Sequence, residues 1–363
     1  MKTLYCFISH APHFEICFPI LAAVHKRGNA KVFPIVNRRL KKTDRELLTA
    51  FHKVGISPVF RSRANIELLS FISMKRADAI LSYGDPLAMP KKIRMRDKYL
   101  VASRTPSIFT QHGLIQEGIN LDCIHLRPDW YSSRILWWED YLPDKAPFLT
   151  KDVGSRIRKV GFLKKNYMDT KQFPKELMGY INSFRQRLLV CTTMPGQKHR
   201  FDDANLNETY NMFDQFCMRN PDVLLLMRPH RGKQDQRGKE FDDILAAKHQ
   251  NVIVMDRYAG DFAYTNIHDC LAITDLVLGH ASSAVLDSMY ADLPTALLHN
   301  DWSSFEHLDQ VTNLASLEKF CSQQGCVDIL HNETRRHFGE LDDNLDRAAI
   351  HIEEVMGVQS SMR

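Results

Sequence analysis

The sequence predicts an α/β protein with two domains, each built on a parallel, doubly wound sheet. Its 363 residues exceed what one ordinary hydrophobic core organises and suit two domains of about 150 to 200 residues. Short apolar runs alternate with amphipathic helical stretches along the whole chain, which is the rhythm of repeated βαβ units. A hydrophobic content of 44% and a charged content of 25% are typical of soluble globular domains.

Both halves of the chain contribute candidate strands. In the first half they are residues 4–8, 31–35, 79–81, 107–110, 134–138 and 158–161. In the second half they are residues 188–192, 223–227, 252–255, 272–278 and 295–298. Parallel strands joined by crossover helices form Rossmann-like domains, so we expect two such domains facing across a cleft. The expected boundaries are 1–165 and 166–335, with a last helix in 336–363 that packs back on the first domain.

The cysteines indicate a reducing compartment. All eight are scattered without a CxxC pair or disulfide-like spacing, so a cytoplasmic setting is expected. No apolar run approaches the roughly 18 residues that a membrane span needs. The first apolar stretch resembles a signal peptide only superficially, because His10, His13 and Glu15 interrupt it.

Two basic clusters lie in the first half of the chain. One comprises Arg38, Arg39, Lys41, Lys42 and Arg45, and the other comprises Lys91, Lys92, Arg94, Arg96 and Lys98. Such clusters suit an anionic surface such as the inner face of the cytoplasmic membrane, and they equally suit solvated helix faces. No nucleic-acid-binding signature accompanies them, so a nucleic-acid partner is not expected.

The segment 273–298 predicts a site for a phosphorylated, ribose-bearing ligand. An apolar strand runs into a tight turn at Gly279, and His280 follows in that turn. Ser282 and Ser283 stand where a helix should begin, and the unpaired amides of a first helical turn attract phosphate. Asp287, one turn on, is placed to accept hydrogen bonds from a ribose. The alternative is a buried αβ unit whose serines only cap a helix.

A second candidate is the histidine in 110–114, TQHGL. The strand that precedes it ends at a glycine turn, which would leave the imidazole of His112 at the strand tip. An ordinary histidine pKa near 6.5 suits a general base. The alternative is a histidine that merely donates a hydrogen bond to a neighbouring carbonyl.

The second half contributes further polar residues at predicted strand ends. Arg228 and His230 follow a very apolar strand, and Pro229 between them ends sheet pairing. Arg228 is suited to bidentate contact with a phosphate, although a basic surface loop would have the same composition. Thr192 and Thr193 end the preceding strand, with hydroxyls suited to donor phosphates. Tyr258, in a later loop, is a candidate for stacking on a nucleobase.

The order of these motifs resembles the GT-B superfamily. A histidine-glycine at a first-domain strand end, an Arg-Pro-His in the second domain and a later Ser-Ser helix start are similar to the CDP-glycerol glycerophosphotransferase (teichoic acid polymerase-like) and capsule polysaccharide transferase clan. The resemblance implies an acceptor domain followed by a nucleotide-donor domain. It implies that His112 is a base, that Arg228 and His230 engage the donor phosphate, and that Ser282 and Ser283 bind phosphate.

The departures from that clan refine the expected reaction. The chain has Gln111-His112-Gly113-Leu114 for Trp-His-Gly-Thr, Arg231 for the last residue of Arg-Pro-His-Pro, and His280-Ala281-Ser282-Ser283 for Asp-Tyr-Ser-Ser. We therefore expect a glycosyltransferase of bacterial surface polysaccharide (capsule, O-antigen or lipopolysaccharide). It would use a CMP-, CDP- or UDP-linked donor and a glycan or lipid-linked acceptor. His280 would add a hydrogen bond to the leaving phosphate.

No metal or cofactor is expected, because cationic side chains and a helix terminus take over phosphate stabilisation. The acidic pairs at 202–203, 242–243 and 342–343 are interpreted as solvated faces. The alternatives are a CDP-glycerol-type phosphotransferase and a nucleotide-sugar 2-epimerase-like isomerase, which would need further carboxylates and histidines. A non-catalytic phosphate- or nucleic-acid-binding protein is the third class.

Overall fold

The computed structural model describes residues 1–43, 46–62, 64–66, 76–84, 95–114, 130–140, 151–192, 203–229, 236–299, 303–322 and 327–358. The chain divides into two compact units. The first unit is Met1–Asp169 together with His337–Arg363, and the second is Thr170–Arg336. Each unit contains one parallel sheet with helices between its strands, so the predicted α/β class is confirmed.

The first unit has a seven-stranded sheet in the order β3-β2-β1-β4-β5-β6-β7, in which every pairing is parallel. Its strands are β1 (Lys2–Ile8), β2 (Ala30–Asn37), β3 (Val59–Arg61), β4 (Ala79–Ser82), β5 (Ser107–Thr110), β6 (Arg134–Trp137) and β7 (Ile157–Lys159). The helices between these strands are α1 (Ala11–Arg27), α2 (Leu40–Thr43), α3 (Glu46–Val54), α4 (Met95–Ser103) and α5 (Lys151–Arg156).

The second unit has a six-stranded sheet in the order β10-β9-β8-β11-β12-β13, again parallel throughout. Its strands are β8 (Gln186–Cys191), β9 (Val223–Arg228), β10 (Val252–Val254), β11 (Leu276–Gly279), β12 (Thr295–Leu298) and β13 (Gln310–Val311). Its helices are α6 (Lys175–Asn182), α7 (Asp203–Arg219), α8 (Gln236–Lys248), α9 (Ile267–Leu271), α10 (Ser283–Met289), α11 (Leu314–Ser322) and α12 (Val327–Phe338).

Alternation along the central strands explains why helices cover both faces of the second sheet. Leu188 and Val190 pack into one core cluster with Phe213 of α7. Leu189 and Leu224 pack into a second cluster on the other face. Successive side chains of a strand point to opposite faces, so a strand that is apolar at every position must be buried on both sides.

The last helix, α13 (Leu341–Val355), belongs to the first unit and packs on α1. The carboxylate of Glu353 is almost fully buried and accepts hydrogen bonds from Nε of Arg27 at 3.0 Å and from Nδ2 of Asn29 at 3.1 Å. Arg27 also pairs with Asp346 at 2.5 Å. Because the bond to Glu353 favours the charged guanidinium, the pKa of Arg27 is raised.

A buried asparagine fixes the start of α13. Nδ2 of Asn344 donates to the carbonyl oxygens of Phe162 and Phe338, at 3.0 and 2.6 Å. The side chain of Asn344 packs directly against the backbone of two glycines with positive φ, Gly161 (86°) and Gly339 (73°). A Cβ on either glycine would lie 2.2 Å from Oδ1 of Asn344, so both positions require glycine for space as well as for conformation.

The boundaries of some predicted elements differ from the observed ones. The predicted strand 272–278 begins only at Leu276, because residues 272–274 form a turn bonded back to the end of α9. The predicted strand 158–161 ends at Lys159, before the left-handed Gly161. Strands β3 and β13 were not predicted, because two- and three-residue edge strands carry too few apolar residues to show a pattern. Among the described residues, no helix combines the length and apolar character that crossing a membrane demands.

Replacing Gly161 with alanine tests the packing of α13. Gly161→Ala should lower the free energy of unfolding by about 2 to 4 kcal/mol, because a left-handed alanine is strained and the buried amide of Asn344 must move off its carbonyl partners. Equilibrium urea denaturation measures the change.

Gly28→Ala is the matched control for that substitution. Gly28 also has a positive φ, of 72°, but no atom lies within 4 Å of the added Cβ. It should therefore cost only the conformational strain, about 1 kcal/mol. Equal losses for the two variants would contradict the steric role assigned to Asn344.

Candidate active site

Three neighbouring strands of the first unit end in polar or aromatic residues. β1 is followed by Ser9 and His10, β4 by Tyr83, and β5 by Gln111 and His112. β1 and β4 are neighbouring strands, and the order of the strands along the sheet reverses its direction between them. β5 lies on the other side of β4. Ligands of open α/β sheets bind beyond the carboxyl ends of strands at this reversal. This edge of the first sheet is therefore a candidate site.

Gln111 is a scaffold residue of this edge. Its side chain is fully buried, and Nε2 donates to the carbonyl oxygens of Gly113 at 2.9 Å and Leu114 at 3.2 Å. Its Oε1 accepts a hydrogen bond from the backbone of Trp138 at 2.7 Å. The side-chain amide of Gln111 thus holds the turn that carries His112 against the end of the neighbouring strand β6.

His112 lies at the tip of β5, where the sequence placed it. The residue is partly exposed as a whole, while Nδ1 is buried and has no hydrogen-bond partner. Burial lowers the pKa of His112 to about 4, and the backbone of Thr110 and Tyr83 only partly opposes this shift. The imidazole is therefore neutral at physiological pH, and it is a weaker base than an ordinary histidine.

The ring of His112 belongs to a stack that sequence reasoning did not find. Its centroid lies 4.0 Å from that of Tyr83, at an interplanar angle of 27°. On its other face Tyr83 stacks on His13, also at 4.0 Å, with an angle of 29°. His10 meets His13 edge-on at 5.2 Å. Tyr83 follows β4 and His13 lies in the first turn of α1, so only the order of the strands in the sheet brings these two rings into one stack with His112.

In the second unit, strand register aligns three residues at the carboxyl edge. Cys191 on β8 pairs with Arg228 on β9 and with Gly279 on β11. β8 and β11 are the strands between which the chain order reverses, so this row lies at the corresponding place in the second sheet. Arg228, predicted from the sequence, is thus brought beside the segment of His280, Ser282 and Ser283.

Gly279 allows a close approach at this row. A Cβ there would lie 3.2 Å from the carbonyl oxygen of Cys191 and 3.3 Å from Cγ2 of Val285 in α10. The absence of a side chain lets the helix begin directly against β8.

Opposite charges surround the thiol of Cys191. Burial raises its pKa to about 11, Arg228 opposes this shift, and Asp287 adds to it. The guanidinium and the carboxylate are therefore both within electrostatic range of this sulfur. Asp287 is only 1% exposed, inside α10. A contact between Asp287 and a ribose would require this carboxylate to become exposed.

The start of α10 distinguishes the two interpretations of its serines. Ser282 is the N-cap residue with an extended backbone, but its side chain makes no capping hydrogen bond, and its Oγ has no partner. The alternative in which this serine only caps the helix is therefore not observed. Ser283 is the first helical residue and is partly exposed, whereas His280 is completely buried.

Thr192 lies at the end of β8 and turns towards a buried polar pair. Its side chain is 3% exposed and hydrogen-bonds to Tyr210 of α7. The hydroxyl of Tyr210 donates to Oδ1 of Asp242 at 2.5 Å. Burial is the larger cause that raises the pKa of Tyr210, and the neighbouring charge of Asp242 is the second. Asp242 is fully buried, so the interpretation of the pair 242–243 as a solvated face was wrong for its first member. Its burial reflects the hydrogen-bonded tyrosine, which the sequence pattern did not reveal.

Tyr258 and those residues of the basic clusters whose side chains are described are exposed. Tyr258 is 62% exposed on the loop after the edge strand β10, where its backbone amide donates to Asp256 at 2.8 Å. Arg38, Arg39, Lys41 and Lys98 are exposed. The predictions on Arg45, Lys91, Lys92, Arg94, Thr193 and His230 lie outside the described residues, as do the side chains of Lys42 and Arg96. Within the described ranges, no three His, Cys, Asp or Glu side chains converge as a metal site requires.

Comparison with solved structures identifies the fold. The Staphylococcus aureus protein MnaA, in a co-structure with UDP, matches with a TM-score of 0.64 at 11% identity over 100% of this chain and 99% of its own. A glycosyltransferase from Rickettsia africae matches with a TM-score of 0.59 at 11% identity over 99% of both chains. A UDP-GlcNAc 2-epimerase from Methanocaldococcus jannaschii, in complex with UDP-GlcNAc and UDP, matches at 0.59 and 14% identity over 97% and 100%.

These matches show that the chain has the GT-B fold, as the motif order implied. At such identities they establish the fold alone. They do not support the narrower resemblance to the CDP-glycerol transferase clan. No protein-family model matches the chain, and no curated protein matches it significantly.

Replacing Gly279 tests the close approach at the second-unit row. Gly279→Ala should lower the free energy of unfolding by about 1 to 3 kcal/mol, because the added methyl group presses on backbone that has little room to yield. Chemical denaturation provides the measurement. Gly179→Ala is the control, since no atom lies within 4 Å of its added Cβ and alanine favours its helix. A neutral Gly279→Ala would show that α10 does not need this contact.

Proposed function

We propose that the protein is a glycosyltransferase of bacterial surface polysaccharide assembly. It would transfer a sugar from a nucleotide-activated donor to a hydroxyl of a glycan or lipid-linked acceptor. The observation that carries the proposal is the row of Arg228, Cys191 and Gly279 at the strand reversal of the second sheet. Support also comes from the fold, which is shared with a glycosyltransferase and with proteins whose structures contain UDP or UDP-GlcNAc.

The second unit is proposed to bind the donor. Arg228 is partly exposed at the end of β9, where a guanidinium can hold a diphosphate through two parallel hydrogen bonds. The uncommitted hydroxyl of Ser282 and the first amides of α10 are the proposed further donors, together with Ser283 and His230. Tyr258, exposed after β10, is proposed to stack on the nucleobase.

The first unit is proposed to supply the general base. The acceptor hydroxyl oxygen attacks the anomeric carbon of the donor sugar, and its proton passes to the neutral imidazole of His112. The bond between that carbon and the diphosphate oxygen breaks, and the nucleotide leaves with the electron pair. Arg228 offsets the negative charge that develops on the leaving diphosphate.

A nucleotide-sugar 2-epimerase-like isomerase is the second candidate, because the chain shares its fold with such an enzyme over almost its full length. An isomerase that abstracts a proton from carbon needs a stronger base than an alcohol requires. The residues that follow β1, β4 and β5 include two imidazoles and a phenol, groups suited to deprotonating a hydroxyl, and this favours the transferase.

Nucleotide binding tests the donor assignment. In a thermal-shift screen against CMP, CDP, UDP and GDP, one nucleotide should raise the melting temperature, because selective binding stabilises the folded state. Arg228→Ala should weaken that binding by about 10- to 100-fold, the loss expected for a charged hydrogen bond to phosphate. Arg219→Ala, an exposed arginine at the end of α7, is the control and should bind as the wild type does. Absence of any stabilising nucleotide would contradict the donor assignment.

Product analysis tests the reaction and its base. With the stabilising nucleotide carrying a sugar, His112→Ala should lower the rate of transfer by about 100-fold or more while nucleotide binding survives, because only the proton acceptor is lost. Unchanged transfer by His112→Ala would remove this residue from the base role. Interconversion of the nucleotide-sugar in the absence of any acceptor would instead identify the isomerase.

A further inference from the structure

The imidazole of His112 must keep a fixed orientation to act as a base. A catalytic histidine is usually held by a hydrogen bond from its second ring nitrogen, which fixes both its tautomer and the plane of its ring. In this protein Nδ1 of His112 is buried and has no such partner. The imidazole does hydrogen-bond to the backbone of Thr110 and Tyr83, but no partner at Nδ1 fixes the plane of the ring, and the rings stacked beside it can do so.

We propose that Tyr83 and His13 are positioning residues that hold the imidazole of His112 by ring stacking. The inference rests on the proposed role of His112 as a base, and nothing in the motifs of the chain assigns either residue. The two stacking distances, both 4.0 Å, and the small interplanar angles make the three rings one continuous column. Neither positioning residue needs to touch the substrate in this scheme.

Backbone contacts tie two of the three rings of the column, those of His13 and Tyr83, to the sheet. The amide of Ser9 donates to Nδ1 of His13 at 3.4 Å, which ties this ring to the end of β1. Oγ of Ser82 donates to the carbonyl oxygen of Gly84 at 2.5 Å and accepts from its amide at 3.3 Å, so a closed turn carries Tyr83. Rings from α1, the end of β4 and the end of β5 are thus fixed by different elements.

The edge of His112 is also enclosed. Phe109, on β5, meets the imidazole at 72° with centroids 6.1 Å apart, and Trp130 backs Phe109 at 5.2 Å. A ring with one face on Tyr83 and one edge against Phe109 keeps little rotational freedom. Phe109 is almost completely buried in the core, so the adjustable part of this enclosure is the column formed with Tyr83.

The column acts on catalysis through geometry. An approach shifted by about 1 Å can cost about 100-fold in rate, since proton transfer needs the base within hydrogen-bond reach of the hydroxyl. Aromatic stacking requires the ring of Tyr83 and not its hydroxyl. Phenylalanine should therefore preserve the function of Tyr83, whereas leucine, which is apolar but smaller and has no ring, should not.

The first experiment reads the column without any substrate. Histidine-labelled protein should give ring resonances for His112, assigned by their loss in His112→Ala, that are displaced by the ring current of Tyr83. Tyr83→Phe should keep this displacement, and Tyr83→Leu should abolish it and broaden the signals. Unchanged His112 resonances in Tyr83→Leu would overturn the stacking arrangement.

The second experiment reads the consequence in transfer. Tyr83→Leu should lower kcat by about 10- to 100-fold with the KM for the donor unchanged, while Tyr83→Phe stays within about threefold of the wild type. His13→Leu should show a smaller loss of the same kind and serves if Tyr83→Leu does not fold. Full kcat in Tyr83→Leu, or an equal loss in Tyr83→Phe, would overturn the positioning role.

A double-mutant cycle separates this inference from the proposed function. If Tyr83 acts only through His112, Tyr83→Leu should add no further loss to His112→Ala. A fully additive loss would show that Tyr83 acts on its own and would overturn the inference. Retained transfer by the single variant His112→Ala would instead refute the base assignment itself, which is a different outcome.

Discussion

Parallel strand pairing is the constraint on which the candidate sites depend. Parallel strands end at the same edge of a sheet, so residues far apart in sequence meet wherever their strands are neighbours. In the second sheet this pairing places Cys191 between Arg228 and Gly279, although these residues are separated by 37 and 88 positions. In the first sheet the same geometry gathers the rings of His13, Tyr83 and His112. The chemistry of each edge is therefore decided by strand order.

The two edges differ in the charge they carry. The described edge of the first sheet presents a stack of three rings, and burial lowers the pKa of His112 among them to about 4. The edge of the second sheet places a guanidinium and a carboxylate about one buried thiol. A neutral acceptor of protons suits an uncharged hydroxyl, and a partly exposed arginine suits a phosphate. This contrast gives each unit a separate part in the proposed transfer.

The sequence alone locates the polar residues that directly follow an apolar strand. Arg228 and His112 were found because a charged or titratable residue at such a strand end is easily seen, and the βαβ rhythm predicted both sheets. His13 and Tyr83 were missed because they join the site only through the order of β1, β4 and β5, which a single sequence does not display. Asp242 was misjudged because its burial depends on the hydroxyl of Tyr210, a contact between two helices that no local pattern records.

The position before His112 shows how a departure from a family pattern can be structural. The clan that the motifs resemble has tryptophan where this chain has Gln111. The side chain of Gln111 donates hydrogen bonds to two carbonyl oxygens and accepts one from the backbone amide of Trp138. A tryptophan indole has one donor and no acceptor, so it could not satisfy that buried amide. Gln111 therefore secures the turn behind His112 in this chain. It carries no weight against an imidazole acting at the same strand tip.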